Sequence, residues 1–216
     1  MWVIGLTGSI GMGKSTAVAM LRRMRIPVHD ADAAVHALIG PGGAAVAEVA
    51  RAFRGVVRNG VVDRKSLGER VFKDPAARAK LEAILHPRVR EATRAFVKRH
   101  RRARRDLVVL DIPLLFETGG ERLCDAVIVV SAPRTIQEQR VLRRAGMTRE
   151  RFRGILAAQL SDAEKRRRAD FVVKTGLSKG RTLRQLSAIV RLLRAGRWRS
   201  RRRPRRQSTG ARQRQG

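Results

Sequence analysis

The sequence predicts an α/β protein built on a doubly wound parallel sheet of about five strands, with a block of helices inserted into it. Three observations predict this. Short apolar runs alternate with amphipathic helical patterns near both ends of the chain, a glycine-rich turn links the first run to the first helix, and from residue 44 to 105 helix signals follow one another without strands.

The first run, Val3-Ile4-Gly5-Leu6, has the uninterrupted apolar character of a strand buried on both faces. Gly8, Gly11, Gly13, Lys14 and Ser15 then fill the spacing GxxxxGK[ST], and Ala17, Val18, Met20, Leu21 and Met24 continue as a helical stripe. Strand, glycine turn and helix in this order make a phosphate cradle. Glycines let successive N–H groups point into one concavity, and the helix N-terminus adds partial positive charge. Residues Gly8, Gly11, Met12, Gly13, Lys14, Ser15 and Thr16 are therefore candidates to bind a nucleotide, with Lys14 reaching the β- and γ-phosphates and Ser15 holding Mg²⁺.

The first helix should end near Arg25, because the residue before Pro27 is pushed out of the α region. A second strand, Pro27-Val28-His29, leads into Asp30-Ala31-Asp32 at its C-terminal end, where ligands of open parallel sheets sit. The same stretch is also a good helix start, so capping and chemistry compete for the two carboxylates. No metal pattern includes His29 or His36. Next come helices over 44–53 and 64–72, a turn at Asn59-Gly60, and a helix opened by Asp74-Pro75 that His86-Pro87 should break near Leu85. A further helix is expected over 88–105. Its closing run, Lys98 to Arg105, reads as a solvated face with cations near the negative end of the dipole, and nucleic acid is the alternative.

Leu107-Val108-Val109-Leu110-Asp111 is an apolar strand ending in an acid, and after a phosphate loop such an acid is a Mg²⁺ ligand, directly or through water. Ala126 to Val130 is another strand. Residues 134–168 hold Arg-rich helices around Gly146-Met147-Thr148, with capping-box spacing at Ser161 to Glu164, as a lid closing on phosphates requires. Phe171-Val172-Val173 is a last strand, and Leu183, Leu186, Val190 and Leu193 stripe the closing helix.

Of the 216 residues, 49 are Lys or Arg and 18 Asp or Glu, a net charge of +31 that suits polyanionic partners. Nine arginines and no acid lie in 197–216, so most of the excess belongs to the rest of the chain. That stretch has no apolar periodicity and is expected to be disordered, with non-specific nucleic-acid binding as its one foreseeable partner. No run approaches the roughly 20 apolar residues that span a bilayer, and the lone Cys124 excludes an internal disulfide. A soluble, cytoplasmic protein is expected.

Taken together, IGLTGSIGMGKS, VHDADAAVH, LHPRVR at 85–90, VLDIPLLFE at 109–117 and the stretch from Gln139 to Val173 resemble the dephospho-CoA kinase family over residues 3 to about 193. The resemblance implies a P-loop kinase-like fold: a nucleotide core of 1–36, 106–135 and 169–196, a helical dephospho-CoA-binding insertion of 37–105 and a lid of 136–168. It implies ATP and Mg²⁺, with the γ-phosphate passing to the ribose 3′-hydroxyl of dephospho-CoA. Asp32 matches the family's catalytic carboxylate, acting with Lys14. Ser15 and Asp111 organise the ion, His86 and Arg90 hold dephospho-CoA, and Arg140 contacts ATP phosphates, with Arg143 and Arg144 one helical turn away. The chain departs from the family at Lys174-Thr175-Gly176, which is shorter and lacks an Asn. Another small-metabolite kinase and a nucleic-acid-associated P-loop protein are the competing readings. The DAD and HPxxR pair argues against the first, and the second requires steeply salt-dependent binding that survives without the tail.

Overall fold

The computed structural model describes residues 1–199, at 72 and 73 by backbone alone; the Arg-rich stretch from 200 to 216, expected to be disordered, lies outside the described residues. A parallel five-stranded sheet runs in the order β2-β5-β1-β6-β7, and the chain divides into two compact units. Strands β1 and β2 are Trp2–Thr7 and Val28–Asp30, and β5, β6 and β7 are Leu107–Asp111, Ala126–Ser131 and Phe171–Lys174. Successive strands fill first one side of β1 and then the other, the doubly wound order the sequence predicted.

One unit comprises Trp2–Met20 and the described residues from Pro113 on. In it β1, β6 and β7 pair in parallel, with Leu6 beside Ile128 and Ile128 beside Phe171. Every residue of β6 is buried, which is why its sequence does not alternate. Helix α1 (Lys14–Arg23) follows the glycine turn. It stops two residues short of the expected Arg25, which takes a left-handed φ of 57° ahead of Ile26-Pro27. Helices α6 (Arg134–Leu142), α7 (Arg149–Ala157) and α8 (Asp162–Arg168) form the Arg-rich segment, with Thr148 and Ser161 as N-caps. On α9 (Lys179–Arg194) the buried stripe is Thr182, Leu186, Ile189, Val190 and Leu193, whereas Leu183 is exposed. Leu183 lies one position off the 3.6-residue stripe, so its apolar side chain turns to solvent. Trp198, placed in the expected tail, instead packs against Trp2 and Phe171.

The other unit, Leu21–Ile112 with Met1, contains the β2–β5 pair, in which Asp30 stands beside Asp111. Its helices are α2 (Ala31–Ile39), α3 (Val46–Ala52), α4 (Arg64–Lys73) and α5 (Pro75–Arg102). They share a separate apolar core of Ile39, Val49, Phe53, Val62, Leu67 and Leu85. The expectation of helices alone is corrected by a small hairpin, β3 (Val57–Arg58) with β4 (Val61–Val62). Asn59 and Gly60 both take positive φ in its turn, and runs this short carry no period that a sequence reading can detect.

The expected break at His86-Pro87 is also overturned, since α5 runs through Pro87. Proline there removes one N–H and frees the carbonyl of Ala83, four residues back. Both Ala83 and Pro87 are exposed, so the break in the ladder falls on a solvent-facing side of the helix, while Leu85 on another face holds the helix to the core. Asp74 and Pro75 open α5 as predicted. No helix among the described residues is long and apolar enough to cross a membrane.

Candidate active site

The turn from Gly8 to Gly13 connects β1 to α1. Gly11 and Gly13 have φ of 77° and 86°, and a Cβ at Gly13 would stand 3.1 Å from Thr175 Oγ1, so neither position tolerates a side chain. Ser9 C=O accepts from Met12 N–H at 3.1 Å and tightens the turn. The Met12 side chain is buried, and its sulfur accepts from Ala132 N–H, so any role in ligand binding falls to the peptide group alone. Lys14 and Thr16 are half-buried and Ser15 is exposed, all three on the first turn of α1.

The Arg-rich segment sits against this turn. Arg140 donates from Nη1 to Gly11 C=O at 3.4 Å and from Nη2 to Thr175 C=O at 2.6 Å, whereas Arg143 and Arg144 are exposed. Gln137, on α6, donates to Ile10 C=O at 2.8 Å, and Gln159 accepts from Ile10 N–H at 3.3 Å. These elements enclose a cavity of about 370 Å³ lined in part by Ser9, Gln137, Gln159 and Asp162. Sequence reasoning did not single out Gln137, Gln159 or Thr175 as site residues, because a glutamine in an Arg-rich helix carries no signal of what it faces.

Beside Gln159, Leu160 N–H donates to Glu117 Oε1 at 2.9 Å, and Glu117 pairs with Lys165 at 2.8 Å. Lys165 is fully buried, and its ammonium is the counter-charge to the Glu117 carboxylate. Lys165→Ala leaves a buried carboxylate without its counter-charge and should cost about 3–5 kcal/mol in urea unfolding, with Glu117→Gln combined with Lys165→Met recovering most of it. Burial alone pushes the Glu117 carboxyl up, but the Lys165 side chain and the Leu160 N–H outweigh it and hold it below the ordinary range. A lowered carboxyl stabilises the fold above its unfolded value and loses that contribution as pH falls through the folded one. The melting temperature should therefore hold above the ordinary value of 4.5 and drop on acidification below it, with a shallower acid slope in Glu117→Gln.

In the other unit, Asp30 caps α2 by accepting Ala33 N–H at 3.0 Å. Asp32 stands exposed in the first turn of the same helix, so the competition between capping and chemistry divides between the two residues. His29 is fixed from α5. The Thr93 hydroxyl spends its proton on Val89 C=O at 2.8 Å, so at 3.1 Å it accepts from His29 Nε2, which carries the hydrogen. Burial foremost, aided by Arg99 and opposed by Asp30, lowers the His29 pKa and keeps the ring neutral near pH 7.

His86 is half-buried and Arg90 exposed on α5, one turn apart. Arg88 between them is engaged by Glu48 of α3 at 2.5 Å. A recess of about 390 Å³ beside His86 is lined by Val35, Val71, Leu81 and Leu85, with Arg78 and Glu82 also on its wall. Asp111, 5% exposed, closes β5. Ser15 and Asp111 supply hard oxygen donors, the chemistry that suits Mg²⁺, which needs few protein ligands beside phosphate and water.

A family model described as dephospho-CoA kinase (CoaE) matches residues 2–179. The chain belongs to that family. Its similarity to a dephospho-CoA kinase of Paramagnetospirillum magneticum is 63% identity over 91% of this chain and 93% of the relative. For that of Rhodospirillum rubrum the identity is 56%, over 91% and 95%. Among solved structures, TT1252 from Thermus thermophilus superposes with a TM-score of 0.76 at 37% identity, covering 88% of this chain and 96% of that one. A dephospho-CoA kinase from Campylobacter jejuni, 24% identical over 91% and 98%, shares the fold with a TM-score of 0.70. As a member of the dephospho-CoA kinase family the chain is an ATP-dependent phosphotransferase with an alcohol acceptor, the ribose 3′-hydroxyl of dephospho-CoA.

Proposed function

We propose that Asp32 accepts or orients the proton of the ribose 3′-hydroxyl for in-line attack on the γ-phosphate of ATP, and that Lys14 neutralises the phosphoryl group in transfer. The observation that carries this reading is the division of labour on α2. Asp30 is used up as the cap, and Asp32, two residues on, remains exposed with its carboxylate available. The peptides of Gly8, Gly11, Met12 and Gly13, with Ser15 and Thr16, bind the ATP phosphates together with Arg140. Ser15 and Asp111 would hold Mg²⁺, which would supply positive charge to offset that of the phosphates.

His86 and Arg90 bind dephospho-CoA, and the apolar recess beside His86 matches the chemistry of its pantetheine arm. In this reading residues 37–105 serve the acceptor, 136–168 act as the lid, and the remaining strands and helices form the nucleotide core. A cytoplasmic setting agrees with the single, buried Cys124. The test is coupled ADP release with Mg-ATP and dephospho-CoA, against AMP, shikimate and gluconate. Turnover confined to dephospho-CoA is expected; equal turnover with AMP would remove the arm from recognition, and turnover with shikimate or gluconate alone would reject the acceptor.

A further inference from the structure

We infer that Gln137 and Thr175 are positioning residues for the phosphate loop: each captures one loop carbonyl from outside and thereby aims the next N–H group at the nucleotide. Gln137 Nε2 donates to Ile10 C=O at 2.8 Å, and Thr175 Oγ1 donates to Met12 C=O at 2.7 Å. No peptide bond among the described residues is cis, and in a planar trans peptide the N–H of the following residue points opposite to the carbonyl. With the Ile10 carbonyl turned to Gln137, Gly11 N–H faces away from α6. With the Met12 carbonyl turned to Thr175, Gly13 N–H faces away from the end of β7.

Both captors are themselves fixed. Gln137 and Thr175 are 2% and 7% exposed. Gln137 Oε1 accepts from Arg134, a side chain that can only donate, so the amide must present its NH₂ to Ile10. Thr175 N–H donates to Ser131 C=O at 2.8 Å, and its hydroxyl accepts from Arg140 Nη1 at 3.2 Å; of the two carbonyls within reach of its single proton, Met12 C=O at 2.7 Å is nearer than Ser131 C=O at 3.4 Å.

The loop needs such pins because of its glycines. Gly11 and Gly13 lie at positive φ, where no side chain limits rotation of the adjoining peptides. A peptide that turned over would present carbonyl oxygen to phosphate oxygen in place of an N–H donor. Donors fixed before the ligand arrives avoid that reorganisation. Among the described residues neither Gly11 N–H nor Gly13 N–H donates to another protein group, so both stay available to an anion.

The inference rests on residues 8–16 being the ATP site, and the experiment separates the two. Gln137→Leu and Thr175→Val remove the donors at nearly constant volume, Thr175→Ser restores one, and Lys14→Ala tests the loop itself. Calorimetric binding of ADP and inorganic tripolyphosphate should weaken about three- to tenfold in Gln137→Leu and in Thr175→Val, as loss of one neutral hydrogen bond predicts. KM for ATP should rise in step, KM for dephospho-CoA should stay unchanged, and Thr175→Ser should return to wild type. Tripolyphosphate carries no adenine, so its weakening assigns the effect to the phosphates.

A purely structural role would lower the melting temperature and shift both KM values together, which would overturn the inference. So would unchanged anion binding in the folded variants. If Thr175→Val does not fold, Gln137→Leu and Thr175→Ser decide the question. Lys14→Ala with undiminished ATP binding would instead reject the loop as the site.

Discussion

Asp32→Ala should lower kcat by about 10²–10⁴-fold while leaving ATP affinity within a factor of about two, because the lost interaction is made with the acceptor hydroxyl as it reacts. The side chain is exposed on the first turn of α2 and its neighbour Asp30 carries the cap, so little folding energy should go with it. Asp30→Ala supplies the contrast. Loss of the cap should cost about 1 kcal/mol of stability, seen as a lower urea midpoint, and leave most of the turnover intact. Single-turnover transfer from Mg-ATP to dephospho-CoA, together with calorimetric ATP binding, measures both halves. A rate near wild type in Asp32→Ala would take this carboxylate out of the chemistry, and a loss shared equally by Asp30→Ala would make the effect one of helix placement.

Lys14→Ala should reduce ATP affinity about 10- to 100-fold and kcat by a further 10²–10³-fold, since one cation serves both bound triphosphate and the charge that develops on transfer. Lys14 opens α1 directly after Gly13, whose left-handed backbone sets the direction in which the helix begins. Lys14→Arg should recover only part of the loss. A planar fork presents its donors in a different geometry from a compact ammonium, and the loop leaves no choice of backbone path. ADP-release kinetics over a range of ATP concentrations, with direct binding of ATP to each variant, separates the two contributions. Unaltered affinity together with an unaltered rate would contradict the assignment.

The phosphate loop, the Asp74 and Ser161 caps and the strands expected at 107–111 and 126–130 were legible in the sequence, because each depends on neighbours within a few positions. The continuity of α5 through Pro87 was not. Whether a proline breaks a helix depends on where the freed carbonyl points, and that follows from which face the surrounding core covers. Leu183 failed for a related reason, since a stripe one residue out of phase looks equally apolar until the helix is docked. The β3–β4 hairpin was too short to carry a period.

By itself the sequence determined the order of the five strands of the parallel sheet, the glycine turn that cradles phosphate, and the family to which these motifs belong, because backbone conformation and apolar periodicity are local properties. Only the tertiary structure decided which acid of DAD caps and which stays free, that Glu117 meets a buried Lys165, and that Gln137 and Thr175 grip the loop carbonyls from 127 and 163 residues away in the chain. Those contacts join positions with no relation in sequence. Hydrogen-bond geometry and burial arise when elements pack, and no pattern along the chain encodes which side chain a given carbonyl will meet.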